Sequence, residues 1–443
     1  MMYLWLLIGI PLPTLCGWLL LRVIEGTTPV LNALERWVAG FIVGSIFVPF
    51  LFFLVDASGV GLLTLPWMLG VQLVVILLLV IRYALYERRN TISLPRITHH
   101  ESLFWKPWEK LLAAALGVWF ILKVIAMWIL LIGPAYFDDT LKNWNLRGKM
   151  FYEQGHIIVE PGIGSYPPTV PLMKTWLASL SGWHEGLVNS IHILWFLAAL
   201  FLLFSVLRRY MNTKWALVGT YLLSTTPLYA LHGGIAYADQ FLSVVVFLAV
   251  SWLLLGHKEH TFLRLSALAT GLLIFTKNEA LLLYVPPIAL IALIRLGKQQ
   301  KSALLWYIGF GLAIALPWLL FKWSHHLDFG NAKPISGMAL SWHAGVLETI
   351  FRNTFFMGHF ALLPALFVAS LVLGWKTVFG TPLRVAVAFL FVVLFGQVCI
   401  FVFTDLATEA LNQTGYARGV LHLVPVMVFI TTVCLQSVCD KES

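Results

Sequence analysis

Apolar runs of about twenty residues recur along the chain, separated by short polar loops. Hydropathy predicts about thirteen membrane spans, at 2–23, 38–56, 60–82, 111–133, 186–207, 214–231, 239–255, 262–276, 279–296, 303–321, 346–373, 382–404 and 418–438. A fourteenth apolar stretch, 167–182, is short and opens with Pro167, Pro168 and Pro171. It is expected to be a membrane-surface or re-entrant helix. A spanning helix needs about 20 apolar residues. A transmembrane barrel would instead alternate over segments of about ten. The runs here are continuous, so the fold class is all-α, a polytopic transmembrane helical bundle. The first run lacks a positively charged leader and a clear cleavage site, and reads as a retained helix rather than a signal peptide.

Composition agrees: of 443 residues, 60% are hydrophobic and only 11% charged, against about 25% charged in soluble domains. The net charge of +9 does not indicate nucleic acid, because the Lys and Arg residues sit mostly in short loops. Clusters at 82–110 (with Arg88, Arg89 and Arg96), 208–214, 257–264, 295–301 and 376–384 share one predicted side, the cytoplasmic one. The loops at 134–185, 232–238, 276–279, 322–345 and 405–417 then share the other. Cys16, Cys399, Cys434 and Cys439 have no metal-ligand spacing and read as small hydrophobes. Residues 1–110 read as accessory helices with a cytoplasmic linker, leaving the chemistry to 111–443. No internal repeat is evident, which argues against an inverted-repeat transporter.

Polar chemistry concentrates between Ala135 and Gly182. Asp138 and Asp139 follow a long apolar helix. Adjacent carboxylates raise each other's proton affinity unless a cation intervenes. Such a group can serve as a general base or as an oxygen ligand to a divalent cation. The plainer alternative is an acidic helix N-cap. Residues 140–155 predict an interfacial amphipathic helix, with Leu141, Trp144, Leu146, Met150 and Phe151 apolar and Lys142, Arg147 and Lys149 polar. Gly155 is its expected C-cap. After a Gly-rich turn, Tyr166-Pro167-Pro168-Thr169-Val170-Pro171 leads into a helix carrying Lys174 and Trp176.

Further along, Asp239 opens an apolar helix as a site carboxylate or an N-cap. Lys277 and Glu279 interrupt two apolar runs, where charges tend to face a cavity or each other. Arg418 begins the last run on the non-cytoplasmic side, suited to a bidentate phosphate contact or to interfacial anchoring. His325, His326 and Asp328 read as a polar loop rather than a metal site.

In this order, the acidic pair, a surface helix ending in Gly and a Pro-Pro element before a Trp-bearing helix resemble the GT-C glycosyltransferases. The resemblance is to the protein O-mannosyltransferase and lipid A aminoarabinose transferase superfamily. It covers residues 111–300 by motif and the remainder by helix pattern. Where the family commonly has Asp-Glu, this chain has Asp138-Asp139; where it often has Lys-Pro-Pro, this chain has Tyr166-Pro167-Pro168. The resemblance implies a membrane glycosyltransferase, hexosyl or pentosyl, using a polyprenyl-phosphate sugar donor. Its acceptor would be an envelope lipid, glycan or protein, on the periplasmic or extracellular face of the plasma (inner) membrane. It implies a catalytic core at 111–300, with 301–443 completing the lipid-donor cavity. Asp138 or Asp139 is then the base, and Asp138, at the family's first acidic position, is the favoured one. Asp239 positions the acceptor or assists the base, while Lys277 and Arg418 meet the lipid phosphate. Glu279, Tyr166, Lys174 and Arg147 are further substrate-contact candidates. A divalent cation at Asp138 and Asp239 is open. A multi-spanning transporter or lipid-linked sugar flippase is the alternative, and a non-catalytic envelope scaffold a third.

Overall fold

Each predicted apolar run becomes helix. The computed structural model describes residues 4–89, 106–135, 138–159, 164–296, 301–328 and 340–442, and no strand occurs among them. The basic stretch around Arg96, the Gly-rich turn at 160–163 and residues 329–339 lie outside the described residues. The first helices are α1 (Pro11–Glu25), α2 (Ala33–Ala57), α3 (Leu65–Arg89) and α4 (Pro107–Ile132). A π-helix, Thr140–Leu146, leads into α5 (Arg147–Gln154). There follow α6 (Thr169–Ser181), α7 (Glu185–Asn189), α8 (Ile191–Arg208), α9 (Thr213–Thr225), α10 (Pro227–Gly233), α11 (Asp239–Leu255) and α12 (Thr261–Ile274). Next come α13 (Glu279–Leu283), α14 (Val285–Leu296), α15 (Lys301–Ser324), α16 (Val346–Phe355), α17 (Leu363–Leu373) and α18 (Trp375–Gly380). The chain closes with α19 (Arg384–Phe403), α20 (Ala407–Leu411), α21 (Gly415–Leu421) and α22 (Val424–Glu442).

Among the described residues, seven helices are long and apolar enough to cross a membrane alone, and a bent pair makes an eighth if taken as one span. The expected number was about thirteen. Hydropathy treats each apolar run as one straight helix, whereas several runs break. The run 214–231 breaks before Pro227, which cannot continue a helix. The run 279–296 breaks at Tyr284, and 346–373 breaks between Phe355 and Leu363. Two inner helices, Asp239–Leu255 and Thr261–Ile274, are apolar but short.

Helix α11 is the axis of the bundle. All its residues are buried, as expected of a helix that is apolar all round. It packs against α8, α12, α19 and α22. Helices α3 and α4 lie on the outside of the bundle, with Leu73, Leu77, Ile121, Ile125 and Ile129 exposed for a bilayer to cover.

Helices α1 and α2, expected in an accessory bundle, share the common core. Phe53 of α2 packs on Phe275, Trp318 and Phe321, at ring-centroid distances of 5.2, 5.8 and 5.1 Å. The α1–α2 contact is a small-residue seam of the kind that lets membrane helices approach closely. A Cβ on Gly17 would lie 2.1 Å from the Gly40 carbonyl oxygen, and one on Gly44 would lie 1.9 Å from that of Pro13. Gly44→Val is therefore expected to force the two helices apart, at a cost of about 3 kcal/mol. A wild-type thermal unfolding curve for this variant in detergent would refute the close packing.

Helix α6 was expected at the membrane surface or as a re-entrant helix. It is covered by protein from Thr169 to Ala178 and packs against α2 and α5. Trp176 Nε1 donates to the Gly9 carbonyl at 2.8 Å, fixing α6 against the start of the chain.

Candidate active site

Four breaks in the helical pattern meet at one end of the bundle. The first is the segment after α12, where Thr276, Lys277 and Asn278 precede α13. The second is the proline element before α6. Pro167 and Pro168 have no N–H to donate, and side chains from elsewhere bind this loop's free carbonyls. Asn278 Nδ2 donates to Ser165 O at 2.7 Å, and Arg147 Nη2 to Tyr166 O at 3.0 Å. Thr169 Oγ1 in turn donates to Phe275 O. The two breaks are thereby stapled together.

The third break is the 48° bend between α21 and α22. Pro425 cannot donate to the carbonyl four residues back. That carbonyl, on Leu421, accepts instead from Ser243 Oγ of α11 at 3.3 Å. The bend turns Arg418 and His422 toward the start of α11. The fourth break is the π-helix after Asp139, a form that recurs at functional sites.

These breaks assemble a polar cluster around Asp239, which is 1% exposed. Its Oδ1 accepts from Lys277 Nζ at 2.9 Å and from His422 Nε2 at 2.8 Å, with Arg418 Nε at 4.0 Å. Lys277 Nζ also meets Glu279 Oε1 at 3.0 Å and sits 5.8 Å from the Tyr166 ring centre. Burial alone would strip the Lys277 proton, but the Asp239 and Glu279 carboxylates outweigh it and hold the ammonium above the ordinary lysine range. Arg418 Nη1 donates to Asp139 Oδ2, and its guanidinium lies 5.6 Å from the Tyr237 ring centre. Burial, then the Asp139 charge, pushes the Tyr237 phenol up to about 12. Three carboxylates and two permanent cations thus share one partly buried volume.

Residues 165–321 match the family model described as dolichyl-phosphate-mannose-protein mannosyltransferase. The match takes in Tyr166, Asp239, Lys277 and Glu279, and begins after the acidic pair. No curated protein matches the sequence. The fold matches crystal structures of ArnT from Cupriavidus metallidurans, in the apo state and bound to undecaprenyl phosphate. The TM-score is 0.53 in both cases, with 15% and 14% sequence identity; 73% of this chain and 60% of that chain are covered. The chain therefore shares its helical fold with ArnT. This chain spans only the stated 60% of ArnT's length, so the likeness is one of architecture.

Within this fold the site residues anticipated from sequence separate into three groups. Asp139, Asp239, Lys277, Glu279, Arg418 and Tyr166 come together. Asp138 does not join them: it is exposed and pairs with Lys142 at 3.0 Å. Neither Asp139 nor Asp239 makes a side-chain cap, so the N-cap alternative is not realised at either. Arg147 and Lys174 form the third group. Arg147, expected on the polar face of a surface helix, is 2% exposed and lies behind Tyr166. Asn145 beside it is likewise buried, whereas Lys142, Lys149 and Glu153 remain exposed. Gly155 is the left-handed C-cap, at φ 70°.

Lys174 is fully buried, donating to Asn145 Oδ1 at 2.5 Å and Asn189 Oδ1 at 2.8 Å. Burial pushes its ammonium down from 10.5 to about 7, with Glu185 acting the other way. The unfolded chain keeps this proton up to the ordinary value. Between pH 7 and 10.5 unfolding therefore takes up a proton, and stability rises with pH. Lys174→Met is expected to flatten the rise in melting temperature between those limits. Parallel pH profiles for the two proteins would refute this.

Among the described residues, no group of three or more His, Cys, Asp or Glu is arranged to hold a metal ion. Asp138 is exposed, whereas Asp239 is buried. His325 stacks on Phe321 at 4.3 Å. Three cluster residues were not anticipated. His422 lies one turn after Arg418, and Tyr284 and Gln397 stand behind it. A polar side chain one turn from Arg418 inside an apolar run was the available sign for His422. Tyr284 and Gln397 carried none.

Proposed function

We propose that this protein is an integral membrane glycosyltransferase. It moves a hexosyl or pentosyl unit from a polyprenyl-phosphate carrier to an envelope lipid, glycan or protein, on the non-cytoplasmic face of the plasma membrane. The observation that carries the reading is the convergence of Asp139, Asp239, Lys277 and Arg418 from four distant segments. A base and a pair of phosphate-directed cations are what the transfer requires. Support for the fold-level part comes from the mannosyltransferase family match and from ArnT, whose structure has been determined with undecaprenyl phosphate bound. The basic loops at the opposite ends of the helices support the assignment of face.

In this mechanism Asp139 takes the proton from the acceptor nucleophile. The nucleophile's lone pair forms the bond to the anomeric carbon, from the side opposite the phosphate, inverting its configuration. The bond from that carbon to the phosphate oxygen breaks, and its electrons leave with the polyprenyl phosphate. Lys277 and Arg418 stabilise the charge gathering on that oxygen. Asp139 is preferred to Asp138 because Asp139 meets Arg418 while Asp138 faces solvent. Asp239 holds the two cations in place.

Mass spectrometry of envelope glycans, with and without the protein, tests the reading. One sugar modification is expected to disappear while its polyprenyl-phosphate donor accumulates. Unchanged glycans, together with movement of the lipid-linked sugar across vesicles containing the purified protein, would replace the transferase with a flippase.

A further inference from the structure

We infer that His422, held by Tyr284 and Gln397, is a positioning residue that fixes Asp239 as the anchor of the phosphate-directed pair Lys277 and Arg418. The inference rests on the glycosyltransferase reading and assigns a part of the same site that the reaction itself does not name.

The tautomer follows from the partners. Asp239 Oδ1 is a carboxylate oxygen and only accepts, so His422 Nε2 carries the hydrogen at the 2.8 Å contact. In the neutral ring Nδ1 is then the acceptor, and the Tyr284 hydroxyl donates to it at 2.7 Å. Gln397 Nε2 donates to that hydroxyl oxygen at 3.4 Å and to Gly419 O at 3.1 Å. The backbone leaves room for this chain. A Cβ on Gly419 would lie 3.0 Å from Gln397 Oε1, so a larger residue would push the amide away. The ring of His422 is 3% exposed, as a side chain, and both its nitrogens are engaged. It has no free lone pair for an acceptor, so it is not the base.

Asp239 needs a rigid partner because its other contacts are shared. Lys277 divides its ammonium between Asp239 and Glu279, and its four-carbon stem is flexible. Arg418 divides its guanidinium between Asp139 and Asp239. When a phosphate takes up part of either cation, only the imidazole continues to hold Oδ1. The ring sits one turn from Arg418 on the same helix, with its backbone N–H on Arg418 O at 3.2 Å. A shift of the ring and a shift of the guanidinium are therefore linked.

The test is binding of undecaprenyl phosphate to the purified full-length chain in nanodiscs, read by native mass spectrometry. His422→Gln places an amide nitrogen near the former Nε2 and keeps a donor to Asp239. His422→Asn places its amide near the former Nδ1 and loses that donor. Losing a hydrogen bond to a buried charge is expected to weaken binding about tenfold in His422→Asn, whereas His422→Gln stays within about threefold. Tyr284→Phe, which removes one hydroxyl, is expected to weaken it about threefold. Equal affinities for the Asn and Gln variants would overturn the inference, because a merely space-filling histidine does not distinguish them. Should the Asn variant not fold, wild-type binding by Tyr284→Phe would overturn it equally. No binding by the wild-type chain would overturn the transferase reading and this inference with it. Binding by the wild type without the Asn–Gln difference overturns the inference alone.

Discussion

Asp139→Asn is expected to lower sugar transfer by about a thousandfold, the scale of a lost general base, while Asp138→Asn stays within about twofold, as for an exposed ion pair. The two residues are neighbours in sequence and opposite in environment. Asp138 points outward to Lys142. Asp139 is about a third exposed as a side chain, at 31%, and its oxygens engage Arg418 and the Asn143 amide, the latter at 3.0 Å. It is open enough to meet an acceptor and close enough to the cations to sit beside the phosphate. Asparagine has nearly the same shape but accepts no proton. The loss is therefore expected in kcat, with little change in the KM for the donor. The measurement is transfer of labelled sugar from the polyprenyl-phosphate donor in membranes holding either variant. An inactive Asp138→Asn beside an active Asp139→Asn would reverse the assignment. Full activity in both, and in the double variant, would remove the acidic pair from the chemistry.

Asp239→Ala carries the second large effect, on stability as well as on turnover. Lys277 is 3% exposed as a side chain and its partner Asp239 is 1% exposed. Removing one member of a buried pair strands the other charge, at a cost of about 3–5 kcal/mol. In this site Arg418 and His422 lose their shared acceptor as well. The variant is expected to melt well below the wild type in detergent. Combining Asp239→Asn with Lys277→Gln removes both charges and is expected to restore most of the stability while leaving transfer abolished. A single Asp239→Ala that melts with the wild type would show that the cluster is solvated rather than buried, and Asp239 would lose its anchoring role.

Much of this site was legible in the chain. Asp139, Asp239, Lys277 and Arg418 each interrupt or border an apolar run, and charge is costly there unless it is used or paired. The Gly155 cap and the start of the axial helix at Asp239 were equally readable, because caps and apolar periodicity are local. Other features were not local. Arg147 and Lys142 look alike in an amphipathic pattern, yet one is buried under the Tyr166 carbonyl and the other is exposed. Their difference depends on α6, which packs over Arg147 and leaves Lys142 uncovered. His422 was hidden by its apolar surroundings, and Tyr284 and Gln397 by their distance along the chain. Hydropathy registers apolar length and not the breaks at Thr226, Tyr284 and the 48° bend, so predicted spans and observed helices do not correspond one to one.

By itself the sequence determined that the chain is a helical membrane protein, where its apolar runs lie, and which charged residues stand at their ends. These follow from transfer free energies, which act residue by residue. Only the tertiary structure decided which of two adjacent aspartates meets the cations, that Arg147 and Lys174 are held in the interior, and that His422 closes the cluster. Those outcomes depend on which helix end faces which. Contacts between different helices set them, from 15 residues apart for Lys174 and Asn189 to 279 for Asp139 and Arg418, and no local pattern encodes that packing.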